Sequence, residues 1–303
     1  MAEKIRIKVN KKIFESQHEA CRFYNIPINV VRGRIRRGWS TDKAYSTPKF
    51  SKEAGVNHPL KYELNHSFFE KIDKPEKAYF LGLIATDGYI SRTGYVSRLT
   101  GKKDKRINLV GINLSEVDKH ILYSFQNYLK TKIKITISKK GKYTDKKNQK
   151  IYFSKPIYRF LIRSEKLAND LLSKGIILKK SLKLKFPSHD IIPKNLFHHY
   201  IRGLFDGDGS LSKSNRDNRY QISITGGSKT FLNSLLFYLQ SKEITSTNNK
   251  VKKRLNKEVF RIGIANKQEI LNFLKHVYFK SNEKTRLERK YNKYLDFIKY
   301  FNN

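Results

Sequence analysis

The sequence predicts an α+β protein in which a pseudo-two-fold pair of αββαββα halves follows a small N-terminal helical module. Three observations support this fold class. A nine-residue motif occurs twice, as FLGLIATDG at residues 80–88 and as IRGLFDGDG at residues 201–209. Each copy is followed by the same order of paired strands and helices, which favours antiparallel sheets packed on helices. A strongly basic stretch at residues 1–47 has its own pattern of short elements.

The N-terminal module contains a predicted strand and two predicted helices. Alternating apolar residues at positions 5–9 favour the strand. Ser16–Glu19 has the form of a capping box, which predicts the start of a helix, and residues 26–38 form a second helical segment. Through residue 47 there are 11 Lys or Arg against 4 Asp or Glu. The second segment carries most of the arginines: Arg32, Arg34, Arg36 and Arg37.

Two short helices of which the second is rich in arginine are typical of a helix-turn-helix DNA reader. These four arginines are therefore predicted to contact DNA. The alternative is a solvated basic helix on a small accessory domain. Residues 48–66 mix Pro, Gly and polar side chains without periodicity, which predicts a linker.

Two related halves are predicted for the rest of the chain, at residues 67–190 and 191–303. The segments 107–129 and 158–172 of the first half match 219–239 and 260–274 of the second in their strand-then-helix pattern. The spacing between matched residues shrinks along the halves, so the first half is expected to have longer loops, including the basic stretches 92–106 and 139–150.

The charge of the chain points to a polyanionic partner. Lys and Arg number 64 against 26 Asp and Glu, a formal net charge of +38, which opposes compaction by self-repulsion. Neutralising phosphates is the use that best fits such a charge; a basic composition set by an AT-rich genome is the alternative, and an anionic membrane surface is a weaker one. No apolar stretch is long enough to span a membrane, so a membrane is not expected as a partner.

One cysteine, Cys21, excludes an internal disulfide and cysteine-based zinc sites. A reducing, intracellular setting is the expectation, and the start of the chain has no apolar signal-peptide core.

Each motif ends in an Asp-Gly pair, and its aspartate is expected in the last turn of a helix. A carboxylate there is disfavoured by about 0.3–1 kcal/mol because the helix C-terminus already carries partial negative charge. The motif glycines leave room for the two helices to pack closely, which brings Asp87 and Asp208 together. Two such carboxylates repel each other and attract a divalent cation. Mg²⁺ suits their hard oxygen ligands, and Mn²⁺ is the alternative. A simple turn signal is the competing interpretation of a lone Asp-Gly pair.

With this doubled motif, residues 66–300 resemble the LAGLIDADG homing endonucleases in their single-chain form. The likeness is carried by Gly82, Leu83, Ile84, Asp87 and Gly88 in the first copy, and by Gly203, Leu204, Asp206, Gly207, Asp208 and Gly209 in the second. The first copy departs at Ala85, where the family usually has an acid, and at Thr86, where it has Ala or Gly. Both copies keep the acid that the family uses for metal.

The resemblance implies a saddle of two antiparallel sheets on the DNA major groove, with Asp87 and Asp208 holding metal at the scissile phosphates. Its activity would be a staggered double-strand break made by metal-activated water. The family also uses a basic side chain near each site. Lys267 is the candidate in the second half, and Lys166, beside the matched Glu165, is the candidate in the first.

Residues 12–45 resemble the small nuclease-associated modular DNA-binding domains that are appended to such enzymes. A monomer with internal pseudo-two-fold symmetry is expected, bound to double-stranded DNA in the cytoplasm of a bacterium or a phage-infected cell, with an organelle as the alternative. Two other functions stay open. The same fold also serves RNA-splicing maturases, for which intron RNA is the partner, and non-catalytic DNA-binding regulators.

Overall fold

The computed structural model describes residues 6–48, 63–94, 105–138, 141–145, 149–153, 155–214, 216–254 and 258–302. It divides into two compact units, Met1–Tyr62 and Glu63–Asn303. Most of the predicted linker and parts of both predicted basic loops lie outside the described residues. Both predicted halves belong to the second unit. No helix in the described ranges has the length and hydropathy needed to cross a membrane.

The first unit is a strand hairpin with three short helices. Its elements are β1 (Ile7–Val9), β2 (Lys12–Phe14), α1 (Gln17–Phe23), α2 (Ile28–Ile35) and α3 (Thr41–Ser46). The predicted cap of α1 is present, because the Ser16 side chain accepts a hydrogen bond from the Glu19 amide. Neither β2 nor α3 was predicted. Both complete a small core that includes Cys21 and Tyr45, with Trp39 packed at its edge.

The second unit contains the repeated pattern. The elements of its first half are α4 (Pro75–Thr86), β3 (Gly88–Arg92), β4 (Ile107–Ser115), α5 (Lys119–Tyr128), β5 (Thr136–Ile137), β6 (Lys142–Thr144), β7 (Ile151–Phe153), β8 (Ile157–Arg163) and α6 (Glu165–Ser173). Those of its second half are α7 (Phe197–Asp208), β9 (Gly209–Lys213), β10 (Tyr220–Gly226), α8 (Lys229–Ser241), β11 (Lys252–Lys253), β12 (Phe260–Ile264), α9 (Lys267–Tyr278) and α10 (Glu288–Asn302).

The two halves have equivalent antiparallel sheets. Strand order is β3-β4-β8-β5 in the first half and β9-β10-β12-β11 in the second. The strand registers are equivalent too. The glycine that ends each motif, Gly88 or Gly209, pairs with an isoleucine of the next strand, Ile112 or Ile224. The added β6–β7 hairpin lies in the longer loop that was predicted for the first half. The predicted α+β class with two αββαββα halves is confirmed.

Helices α4 and α7 pack against each other at the centre of the unit, and glycine makes this approach possible. A Cβ at Gly82 would collide with the Tyr200 carbonyl oxygen, and one at Gly203 with that of Tyr79. A Cβ at Gly207 would collide with the Thr86 side chain. Gly costs about 1 kcal/mol in a helix interior relative to Ala, and here the close packing of two backbones offsets that cost.

The C-terminal helix α10, which the sequence did not predict, connects both halves. Arg289 donates to both Asp118 carboxylate oxygens of the first half, at 2.9 and 3.0 Å. The Leu287 amide donates to Asp206 of the second half at 2.9 Å. Phe297 is fully buried in the shared hydrophobic core. The segment from 287 onward therefore stabilises the arrangement of α4 and α7.

Candidate active site

Asp87 and Asp208 lie at neighbouring ends of the two packed helices, as predicted. Asp87 is the C-cap of α4 and Asp208 is the last residue of α7. A Cβ added to Gly207 would be 3.3 Å from Oδ2 of Asp87, which shows how closely α7 approaches this carboxylate. The packing of two glycine-containing helices thus brings the paired acids to one end of the interface.

Both carboxylates resist ionisation. Desolvation, followed by repulsion from Asp208, raises the pKa of Asp87 to about 6, although Lys290 and Lys180 oppose this. The Asp208 side chain still reaches solvent, but the protein atoms around it desolvate the carboxylate and raise its pKa, against the attraction of Lys180 and Lys290. The folded protein therefore keeps two acids in an unfavourable place that a cation would relieve.

Two buried lysines accompany this pair, and neither was predicted. The Lys180 ammonium donates to the Thr86 carbonyl oxygen at 2.8 Å. The Lys290 ammonium donates to the carbonyl oxygens of Phe205 and Asp206, each at 2.6 Å. Burial lowers the pKa of Lys180, and it lowers that of Lys290 to about 8. Both lysines follow the last repeated helix of their half, α6 or α9, which is the one sequence signal they share.

The predicted lysines lie elsewhere. Lys166 forms ion pairs with Glu70 at 2.9 Å and with Asp170 at 3.3 Å. The Lys267 ammonium lies over the Tyr300 ring, 4.8 Å from its centroid. Neither lysine contributes to the pKa of Asp87 or Asp208. The assignment of Lys166 and Lys267 to the carboxylate pair is therefore corrected to Lys180 and Lys290.

The acid that only the second motif carries has a structural role. Asp206 is fully buried, and its Oδ2 accepts hydrogen bonds from the Tyr79 hydroxyl at 2.8 Å and from the Leu287 amide at 2.9 Å. Its counterpart Ala85 is also buried. Desolvation raises the pKa of Asp206. The acid that the first motif lacks is thus a hydrogen-bond acceptor within the core.

The sheet faces opposite the core present basic and polar side chains. Arg159 and Arg163 are exposed on β8, between core residues that point the other way. In the second sheet Arg261 on β12 pairs across from Thr225 on β10, and no described residue accepts a hydrogen bond from its buried Nε. Arginine side chains on an open sheet face can donate to phosphates and to base edges.

The arginines of the first unit are not equivalent. Arg32, Arg36 and Arg37 are exposed, as a DNA contact requires. Arg34 is 3% exposed and donates to the carbonyl oxygens of Ala44 at 2.9 Å and Thr47 at 2.6 Å. The predicted DNA contact of Arg34 is therefore wrong. This guanidinium holds the end of α3 against α2.

The described residues include no cluster of three or more His, Cys, Asp or Glu side chains suited to a metal ion. Among the described residues, a cation at the ends of α4 and α7 would therefore be held by the two carboxylates of Asp87 and Asp208 and not by a larger cluster. Mg²⁺ commonly binds through one or two carboxylates and completes its shell with water and substrate phosphate. Two oxygen donors whose pKa values are raised by desolvation, with added repulsion from Asp208 at Asp87, fit such an ion.

Comparison with known proteins yields one family match, to the LAGLIDADG-like domain, at residues 198–278. A curated relative from Methanocaldococcus jannaschii, described as a probable translation initiation factor IF-2, is 25% identical over 280 residues. That alignment covers 90% of this chain but 21% of the relative, so the chain spans about a fifth of its length.

Solved structures of the homing endonuclease I-WcaI bound to its DNA recognition sequence and of the LAGLIDADG meganuclease I-CpaMI bound to uncleaved DNA are also similar. I-WcaI is 17% identical with a TM-score of 0.47, covering 80% of this chain and 96% of that one. I-CpaMI is 16% identical with a TM-score of 0.46, covering 75% and 92%. The family match agrees with the resemblance at the second motif copy, since residues 198–278 of this chain match the LAGLIDADG-like domain.

Proposed function

We propose that the protein is a site-specific endonuclease that makes a staggered double-strand break in DNA, with divalent-metal-dependent hydrolysis of one phosphodiester on each strand. The observation that carries this proposal is the pairing of Asp87 and Asp208 at the ends of α4 and α7. The family match supports it. The name of the curated relative does not extend to this chain, because the shared region is about a fifth of that relative.

In this proposal the two sheet faces bind the duplex. Arg159, Arg163 and Arg261 neutralise phosphates or donate to base edges, and the large positive charge favours fast, salt-dependent association. The exposed Arg32, Arg36 and Arg37 add a second basic surface on the first unit. Sequence readout is assigned to the sheets, since Arg261 on β12 and Gln221 on β10 can present donors in fixed register.

Asp87 and Asp208 would hold the divalent cation. When bound, Mg²⁺ would polarise the phosphate and favour deprotonation of water. Lys180 and Lys290 limit the repulsion between the acids. During hydrolysis the attacking water releases a proton to solvent as its oxygen forms a bond to phosphorus, the bond to the leaving oxygen breaks, and that oxygen takes a proton from solvent. The maturase and regulator alternatives stay predictions.

The test is cleavage of a library of randomised duplexes with Mg²⁺ or Mn²⁺, followed by sequencing of the new ends. A single long target with offset cuts on the two strands is expected. Asp87→Asn and Asp208→Asn should each abolish cleavage while retaining binding to the selected target. Asp190→Asn, at an exposed carboxylate, is the matched control and should cut normally. Full cleavage by both active-site variants would refute the assignment.

A further inference from the structure

Three partly exposed apolar side chains lie on the open face of the first sheet. Tyr89 lies on β3, Leu109 on β4 and Leu161 on β8, and each alternates with core residues that point the other way. None of the three packs on the hydrophobic core that the described residues form. Apolar side chains that adjoin one another outside a core commonly mark a binding site, whereas single ones are ordinary. We call these three residues the apolar patch.

The strand register makes the members of the apolar patch neighbours. Gly111 on β4 pairs with Tyr89 on one side and with Leu161 on the other. A Cβ at Gly111 would collide with the far end of the Tyr89 ring, so this ring lies across β4 in the direction of Leu161. Leu109 pairs with Arg163, two residues beyond Leu161, which makes the two leucines diagonal neighbours at about 7–8 Å. The patch therefore spans three adjacent strands.

Arginines flank the apolar patch. Arg163 pairs with Leu109, and Arg159 lies two residues before Leu161 on the same face of β8; both arginines are exposed. Their charge is complementary to a polyanion that also presents apolar groups. In the DNA major groove the C5-methyl group of thymine makes contacts with apolar side chains. The spacing of the two leucines is close to two base steps, at about 3.4 Å each along one strand.

The second sheet has no such patch among its described residues. At the positions equivalent in strand register it has Ser210, Gln221 and Gly263. One arginine is shared, because Arg261 on β12 corresponds to Arg159 on β8. The two sheets thus have the same backbone register and an arginine at the same place, whereas the apolar side chains occur in the first sheet alone. The sheet itself does not require them.

We propose that the apolar patch contacts thymine methyl groups in the DNA major groove, so that the half of the target under the first sheet carries thymine at the contacted positions. The second sheet selects its half by hydrogen bonds from side chains such as Gln221 and Arg261. This inference rests on the DNA-binding part of the proposed function. It adds the chemistry by which one half of the target is recognised.

The test compares binding to duplexes that contain thymine or deoxyuridine. Deoxyuridine lacks only the 5-methyl group and keeps the O4 acceptor and the base pairing. The target is selected from a randomised library by binding without divalent metal, and the substitution is then made in one half of the target at a time. Loss of each contacted methyl should weaken binding about fourfold, which corresponds to its burial free energy. Substitution in the other half should have little effect.

A double variant, Leu109→Gln with Leu161→Ser, makes the first sheet polar like the second. It should bind thymine and deoxyuridine duplexes equally. Leu172→Gln, at an exposed leucine on α6, is the matched control and should discriminate as the wild type does. The ratio of the two dissociation constants does not depend on the folded fraction, so partial unfolding does not obscure it. If the double variant does not fold, Leu109→Ala should show a reduced ratio.

Equal binding of thymine and deoxyuridine duplexes by the wild-type protein would overturn the proposal, as would discrimination that persists undiminished in the variants. Either result would remove the apolar patch from the DNA interface. Because the readout is binding, the outcome is separate from that for cleavage. A protein that discriminates thymine from deoxyuridine but cuts no duplex would refute the endonuclease function alone.

Discussion

Replacing Asp87 by Asn should stabilise the protein without metal at neutral pH. The pKa of Asp87 in the folded state is raised from 3.8 to about 6, so the folded state binds this proton more tightly than the unfolded chain. Stability from this group is fully present below about pH 4 and is lost as pH rises through 6. At 1.36 kcal/mol per pKa unit, the loss at pH 7.5 is at most about 3 kcal/mol, and an uncharged asparagine side chain at this position would not suffer it.

The assay is thermal unfolding of the wild-type protein and of Asp87→Asn, without metal, at pH 5 and pH 7.5. A domain of this size shifts its melting temperature by about 2–4 °C for each kcal/mol. The variant should therefore melt several degrees higher at pH 7.5, and the difference should shrink at pH 5, where most Asp87 is protonated. Titration of groups that do not interact with Asp87 cancels in this comparison.

Metal provides the second half of the test. Mg²⁺ or Mn²⁺ at pH 7.5 should raise the melting temperature of the wild-type protein, because binding to the folded state alone is stabilising, and should have little effect on Asp87→Asn. Asp190→Asn is the control and should follow the wild type in both respects. A variant that is less stable than the wild type at pH 7.5 without metal would refute the argument that this carboxylate is held against electrostatic repulsion.

Two further substitutions test the packing and the first unit. Gly82→Ala, whose Cβ would collide with the Tyr200 carbonyl oxygen, should lower the free energy of unfolding by about 3 kcal/mol or more through overpacking. The control Gly263→Ala, whose Cβ would make ordinary contacts of 3.6 Å or longer, should change it much less. If Gly82→Ala is neutral in urea unfolding, the close approach of α4 and α7 is disproved. Arg36→Ala should reduce the salt dependence of DNA binding by about one phosphate contact, measured in salt-titrated binding. Arg34→Ala should instead unfold or destabilise the first unit, seen by circular dichroism, because its buried hydrogen bonds are lost. The opposite pattern would contradict these roles.

The sequence predicted the elements that repeat and missed the contacts that form between distant segments. The duplicated motif located α4, α7 and both Asp-Gly helix ends, because glycine inside a helix needs a packing reason and an acid at a helix C-terminus needs a cation. The lysines could not be chosen in this way. Residues 176–185 alone contain four of them, and Lys180 is distinguished only by its burial beside Thr86.

Long-range packing also decided the roles of Arg34 and of α10. Arg34 lies on α2 between exposed arginines on and just after this helix, but α3, which the sequence did not predict, covers it and supplies its acceptors. The position of α10 depends on Asp118, which is 171 residues away from Arg289 along the chain. Periodicity within a segment carries no information about such pairs.

The second acid of the motif shows why a pseudo-symmetric fold does not produce a symmetric site. Asp206 and Ala85 occupy equivalent positions, yet only Asp206 accepts hydrogen bonds there. Its donors are the Tyr79 hydroxyl of the opposite motif helix and the Leu287 amide at the start of the C-terminal segment. Because its side chain is fully buried, Asp206 cannot serve as a third metal ligand beside Asp87 and Asp208. Within the described chain α10 supplies Lys290 at the end of α7, so the first half needs no equivalent acid, and Ala85 leaves the Asp87 carboxylate in place.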